Sequence, residues 1–298
     1  MGRKDGLWHK FLMNNERYAD MINAFGLDGA QIVTASDIME ADSKVGTKIR
    51  DEVRRVAFGV NFAMIGIESQ ELIDYSLVER IMYYDTSRYE KECVEIRRTN
   101  GQSNEELNGG ERLYSFRKTD KLHPVVTFVV YCGKDPWDGA RSIRDLIDTT
   151  DIPEELIKYI SDYKINVIDV RRDTKKLTRL RTDVRDVLEV INCADDEARL
   201  DALLSDKERK IIFSEDAFCL AKEYANLKDT YIEPNEKGEY DMCKAWEDMK
   251  TDAKIEGKIE GKVLTYHEFG LPLEDIAART EQTVDFVKDT LKANGVLK

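Results

Sequence analysis

Residues 58–70 read Phe58-Gly-Val-Asn-Phe-Ala-Met-Ile-Gly-Ile67-Glu68-Ser69-Gln70. A nearly continuous apolar run leads straight into three polar residues. Without the alternation of a half-exposed strand, such a run predicts a strand covered on both faces. It therefore belongs inside a sheet, and it delivers polar groups at its carboxyl end. Residues i and i+2 of a strand share a face, so Glu68 and Gln70 stand side by side.

The flanking segments extend the pattern. His123-Pro-Val-Val-Thr-Phe-Val-Val-Tyr-Cys132 predicts a second buried strand, closed by Gly133. Lys164–Val170 predicts a third, after a short helix over Pro153–Ser161. Ser76–Arg97 has helical patterning, and Arg98–Gly110 has the Asn and Gly of a loop or hairpin. Residues 5–25 place Leu7, Trp8, Phe11, Leu12, Tyr18, Met21, Ile22 and Phe25 at helical spacing, with a bend near Asn14–Asn15. Gln31–Val33 reads as a short extended segment, and Ser36–Lys44 as a loop or short helix. The first half is thus α/β, a mixed sheet flanked by helices.

From Asp183 the character changes. Asp183–Ile191, Asp196–Leu204, Asp206–Leu227 and Tyr240–Asp252 all read as helix, with no strong strand signal. We expect one domain over residues 1–178, a helical region over 179–252 and a tail over 253–298. The tail opens with the repeat Lys254-Ile-Glu-Gly-Lys-Ile-Glu-Gly-Lys262. A glycine every fourth residue costs a helix about 1 kcal/mol each, so this is a linker or a helix associating along its Ile255/Ile259 edge. Residues 270–294 read as helix–turn–helix, with Thr283 as cap of the last helix and Gly295 ending it.

Composition narrows the function. The chain has 298 residues, 42% hydrophobic and 35% charged, with a net charge of −13. The apolar content is ample for a core, and the charge argues against a protein that coats DNA non-specifically. No run of eighteen apolar residues occurs, so no membrane helix is expected. The first 21 residues lack the apolar core and cleavage pattern of a signal peptide. Five widely spaced cysteines without a CxxC predict reduced thiols and a cytoplasmic protein. Three histidines without HExxH argue against zinc hydrolysis. The common nucleotide-binding and acyl-transfer motifs are absent.

The remaining constellation is acidic. Asp51 precedes Glu68 by 17 residues, enough for a turn and a returning antiparallel strand. Two carboxylates from neighbouring strands, with a carbonyl oxygen, would make an all-oxygen site for a hard cation such as Mg²⁺. The bland alternative is a solvated strand edge.

Several segments in their order resemble the recombination-promoting nuclease / putative transposase family, a branch of the PD-(D/E)XK phosphodiesterase superfamily. They are residues 4–25, 49–70, the RIMYYD of 80–85, KTDKLHPVVTFVVYCGKDPWDG at 118–139, and the EGKIEGK tail with GLPLEDIA. The resemblance implies a restriction-endonuclease-like αβββαβ core and metal-dependent cleavage of DNA, linked to recombination and mobile elements. It implies that Asp51 and Glu68 bind the metal, that Gln70 stands where many superfamily members carry Lys, and that Asp5 assists from the first helix. Asp5 has an alternative role as an acid favoured at a helix N-terminus. The implied cofactor is Mg²⁺, with Mn²⁺ or Ca²⁺ as substitutes, and the implied partner is DNA. No membrane partner is expected, and self-association into a homo-oligomer is compatible with the tail.

The neutral Gln70 departs from the superfamily pattern, since it hydrogen-bonds but brings no charge. Arg80 and Arg54 are the candidates to supply that charge, against the alternative of surface salt bridges. The neutral residue also motivates a second function, a non-catalytic nucleic-acid-binding or scaffold protein that keeps the fold. His123 reads as a structural hydrogen-bonding group, and Trp137 as packing for a turn or a stacking surface for a base. Arg171–Arg181 carries six basic residues and one acid, either a phosphate-tracking patch or a solvated segment paired with nearby acids. The last helix mixes Asp285 and Asp289 with Lys288 and Lys292, a poor composition for reading DNA.

Overall fold

The structure is a computed structural model. The structure describes residues 3–40, 44–45, 48–49, 52–58, 61–103, 107–206, 208–227 and 233–297; for 44, 45, 48, 49, 52, 61–66 and 68 it describes the backbone alone. It is α/β, with a mostly helical C-terminal region.

Two helices open the chain. In α1 (Arg3–Leu12), Trp8, Phe11 and Leu12 are buried at i, i+3 and i+4 spacing. The bend expected at Asn14–Asn15 is a break between helices. Asn14 Oδ1 accepts from the backbone N–H of Glu16 (2.8 Å) and Arg17 (3.3 Å), which starts α2 (Asn15–Gly26). A 3-10 turn over Ala35–Asp37 then leads into strand β1 (Ile38–Glu40), where a loop or short helix was expected. Two-residue strands β2 (Lys44–Val45) and β3 (Lys48–Ile49) pair with each other.

The central sheet has the order β1–β4–β5–β6–β7. Strand β4 (Glu52–Phe58) pairs antiparallel with β1 and with β5 (Asn61–Gln70). Helix α3 (Leu77–Gln102), longer than its patterning predicted, carries the chain to β6 (Val125–Tyr131), which lies parallel to β5. Strand β7 (Asn166–Asp169) adds in parallel to β6. The quoted run is therefore an interior strand, paired on both edges. Residues Thr127–Tyr131 of β6 are buried consecutively, so both faces of that strand are covered.

Helix α3 packs on the sheet through Leu77, Val78, Ile81 and Tyr84, which meet Val129, Tyr131, Ile165 and Val167. Trp137 completes this cluster: its ring stands edge-on to Tyr131 at 5.2 Å, and its indole N–H donates to the Gly139 carbonyl at 2.8 Å. Asp85, the acid of the RIMYYD segment, is buried on α3. It accepts from Thr127 Oγ1 (2.8 Å) and Tyr163 Oη (2.5 Å), tying helix to sheet.

Short helices α4 (Gly109–Tyr114), α5 (Glu154–Ile157) and α6 (Thr174–Leu177) connect these elements. Then come α7 (Val184–Cys193), α8 (Glu197–Leu204) and α9 (Glu215–Tyr224). The helix expected over Asp206–Leu227 is confined to α9. Ile211 and Phe213 are buried and Ile212 is exposed, the alternation of extended chain. The two-residue strands Ile212–Phe213 and Tyr240–Asp241 carried too short a signal to be read. Residue 178, where a boundary was expected, lies between α6 and α7.

The chain divides into two compact units, residues 1–203 with 213–226, and residues 204–212 with 227–298. The first contains the central sheet. The second contains α10 (Met242–Glu268), α11 (Leu273–Thr280) and α12 (Val284–Ala293), packed around Val263, Ile276, Ala277, Val287 and Leu291. Thr283 Oγ1 accepts from Phe286 N–H at 3.1 Å and caps α12, and Gly295 follows that helix at φ 71°. The repeat 254–262 lies inside α10, so this segment is helix. No helix among the described residues is long and apolar enough to cross a membrane.

Candidate active site

The polar end of β5 opens into a cleft of about 570 Å³. Ser69 and Gln70 reach it from β5, Asp5 and Trp8 from α1, and Arg80 and Tyr84 from α3. The turn Glu71–Asp74 forms its rim. Sequence-distant Asp5 and Gln70 are thus brought to one space. Asp5 also lies in the first turn of α1, so it complements the helix dipole as well. Asp51 and the side chain of Glu68 lie outside the described residues. What is described is the backbone beside them: Glu52 pairs with Ile67, and Glu68 with Val129.

The rim is braced by contacts that sequence reasoning missed. Lys4 Nζ donates to Glu71 Oε1 at 2.7 Å and sits 4.3 Å from the centre of the Tyr224 ring. Asp74 accepts from Ser76 N–H (2.9 Å) and Oγ–H (2.7 Å) and pairs with Arg80 at 2.9 Å. Burial pushes the Asp74 carboxyl up, but the Ser76 hydrogen bonds and the Arg80 charge outweigh it and hold the group below its ordinary value. Gly133, just past β6, stands against this rim. A Cβ there would lie 2.4 Å from the Glu71 carbonyl oxygen and 2.2 Å from Tyr131 Oη, so only glycine admits this close approach.

Behind α1, the Trp8 indole N–H donates to Tyr224 Oη at 3.0 Å. Burial pushes the Cys132 thiol up to about 12, despite the lowering effect of Tyr224, so it remains protonated. The Tyr224 hydroxyl is raised for the same reason.

The other predicted residues fall as follows. Arg80 is a cleft-wall cation in the salt bridge with Asp74. Arg54 is buried in β4 with its guanidinium 5.9 Å from the Tyr18 ring centre, so it is not a surface group. The backbone N–H of His123 donates to Glu92 Oε2 at 3.0 Å, and its ring Nδ1 meets the same carboxylate, a structural pairing. In the basic stretch, Arg171 pairs with Asp195, Arg172 with Asp169, Lys176 with Asp173 and Arg179 with Asp28. This is the paired alternative for four of its six cations.

Among the described residues no three His, Cys, Asp or Glu side chains cluster as metal ligands. The donors that the cleft does offer, Asp5, Ser69, Gln70, Glu71 and Asp74, are all oxygen ligands, and they fit a hard cation better than a thiophilic one.

The fold and cleft define an α/β protein with a polar cleft at the carboxyl end of an interior strand. The chain belongs to the family described as putative transposase, YhgA-like, whose model matches residues 5–207. That match spans the central sheet and stops short of α10–α12. No curated protein and no solved structure matches the chain.

Proposed function

We propose that this chain is a metal-dependent DNA endonuclease of the PD-(D/E)XK type, acting in recombination or in the movement of mobile elements. The cleft at the end of β5 carries the reading, because Gln70 from an interior strand and Asp5 from α1 open onto one space. Family membership supports a role tied to mobile elements, and an enzyme of that kind acts on DNA. The order α2, β1, β4, β5, α3, β6, antiparallel through β5 and parallel from β5 to β6, supports a restriction-endonuclease-like core within residues 1–178.

Asp51 and Glu68 are the proposed ligands of Mg²⁺, assisted by Asp5, with Mn²⁺ or Ca²⁺ as substitutes. When bound, the cation would supply Lewis-acid stabilisation of phosphate charge and a more acidic water. Gln70 would orient the attacking water by hydrogen bonding. In hydrolysis the water oxygen bonds to phosphorus, the bond from phosphorus to the leaving sugar oxygen breaks, and that oxygen takes up a proton. Arg80, held beside the cleft by Asp74, would stabilise negative charge on the phosphate.

Nicking of supercoiled plasmid in Mg²⁺ tests this reading. The wild type should relax the plasmid, and Asp51→Ala should slow it about 10²–10³-fold, the size of losing one transition-state-stabilising group. Equal cleavage by both proteins would sink the assignment. Calorimetry that finds no divalent-ion binding, even with DNA present, would favour the non-catalytic scaffold.

A further inference from the structure

Two clefts adjoin along a shared edge formed by Lys4, Glu71, Leu72, Ile73 and Tyr224. The cleft at the end of β5 and a second one, of about 970 Å³, share the turn 71–73, and Leu72 borders both. Leu72 is 83% exposed, and Tyr75, on the wall of the second cleft, is 61% exposed. A single exposed leucine on a surface needs no explanation. Here, however, its neighbours on both sides are anchored. Glu71 is held by Lys4, Ile73 packs against the core formed by α3 and β6, and Asp74 is held by Ser76 and Arg80. The leucine therefore projects from a braced turn, two residues beyond Gln70.

Charge decides what the second cleft suits. Its three cations are outnumbered by acids: Lys4 pairs with Glu71, Lys134 and Arg171 share Asp195 at 3.0 and 2.8 Å, and Asp135 and Glu223 also line it. Continuous duplex is gripped chiefly through its phosphates, by cations available to them. An aromatic face and an aliphatic wedge serve differently. Bases of an unpaired strand stack on aromatic side chains, and apolar side chains inserted between base steps unstack them.

We propose that the substrate class is DNA with an unpaired segment beside the cleavage point. Leu72 is the wedge that separates the strands at the divide, and Tyr75 stacks an unpaired base in the second cleft. The proposal rests on the endonuclease reading and adds the substrate's form to it. Both are positioning residues, since the reacting atoms lie in the first cleft.

The test uses the full chain and two labelled duplexes of one sequence, one continuous and one with a three-pair mismatch bubble. The wild type should cut the bubble substrate about tenfold faster, at the bubble's edge. Leu72→Ala should lose about tenfold on continuous duplex and much less on the bubble, widening the ratio, and Leu72→Met should restore it. Tyr75→Ala should weaken binding of the bubble substrate about tenfold, read by anisotropy in Ca²⁺. Equal losses by Leu72→Ala on both substrates, or no loss on either, would overturn the wedge. If the wild type cuts neither substrate, the endonuclease reading fails by itself. The wedge is then read from 2-aminopurine beside the bubble: brightening by wild type and not by Leu72→Ala supports it, and no brightening by wild type overturns it.

Discussion

Arg17 carries a full charge with a side chain only 5% exposed. Its guanidinium donates to Asp183 and Ser214 at 2.8 and 2.6 Å, to Asp216, and to the Phe11 carbonyl at 3.1 Å. It also lies 4.3 Å from the centre of the Phe11 ring. A buried charge is tolerable only when so completely met. Arg17→Ala would leave two acids facing each other, and we expect it to cost about 3 kcal/mol in urea unfolding followed by tryptophan fluorescence. The same hub sets an acid limit. Burial raises the Asp216 carboxyl, but hydrogen bonds from Arg17 and Ser214 and the Arg17 charge hold it below its ordinary value. A carboxyl depressed in the folded state stabilises above the unfolded value and loses that contribution as pH falls through the folded one. Asp216→Asn should therefore be less stable near neutrality and show a flatter decline below about pH 4. Equal slopes for both proteins would refute this account.

At the scale of elements, α10 is the helix whose own residues argue against it. Gly257 and Gly261 lie within it, and an added Cβ would meet nothing within 4 Å at either. Residues 250–258 are exposed throughout. The double variant Gly257→Ala/Gly261→Ala should gain about 1 kcal/mol per site, measured as a higher melting temperature by circular dichroism at 222 nm. A lower melting temperature would mean that this face of α10 needs its glycines. The same helix illustrates what sequence reading can and cannot reach. Its length exceeded the patterning because packing of Val263 against α11 and α12, rather than local propensity, holds its later turns. By contrast β5 and β6 were legible, since interior strands of a mixed sheet leave long apolar runs, and β7, although at the sheet edge, was legible because three of its four residues are buried. Strand β1 was not, because three edge residues show no period. The candidate site was legible in part. Asp5 and Gln70 followed from the resemblance, and they do share a cleft. The pair Lys4–Glu71 was invisible, being 67 residues apart and ordinary in composition. Arg17 was invisible for another reason: a charged residue on an amphipathic helix is ordinarily a solvated one.

Across the whole molecule, the net charge of −13 sets the terms of any meeting with DNA. Most of the basic stretch 171–181 is committed to ion pairs, so few cations remain to offset it there. Binding should be transient. With about three phosphate contacts, affinity for duplex should fall roughly 40-fold between 50 and 200 mM salt. Fluorescence anisotropy across that range checks this, and affinity that persists at high salt would contradict it.

The bond between Trp8 and Tyr224 spans 216 residues of chain, and it bears on the order of events at the ribosome. Helix α1 carries Asp5, yet its packing partner α9 is made long afterwards. At about 5–20 residues per second, roughly 10–45 s separate the two ends of that contact during synthesis. The cleft wall therefore closes late, after the strands and helices between have emerged. For the endonuclease proposed above, such a delay would keep the nascent chain harmless until its first unit is whole.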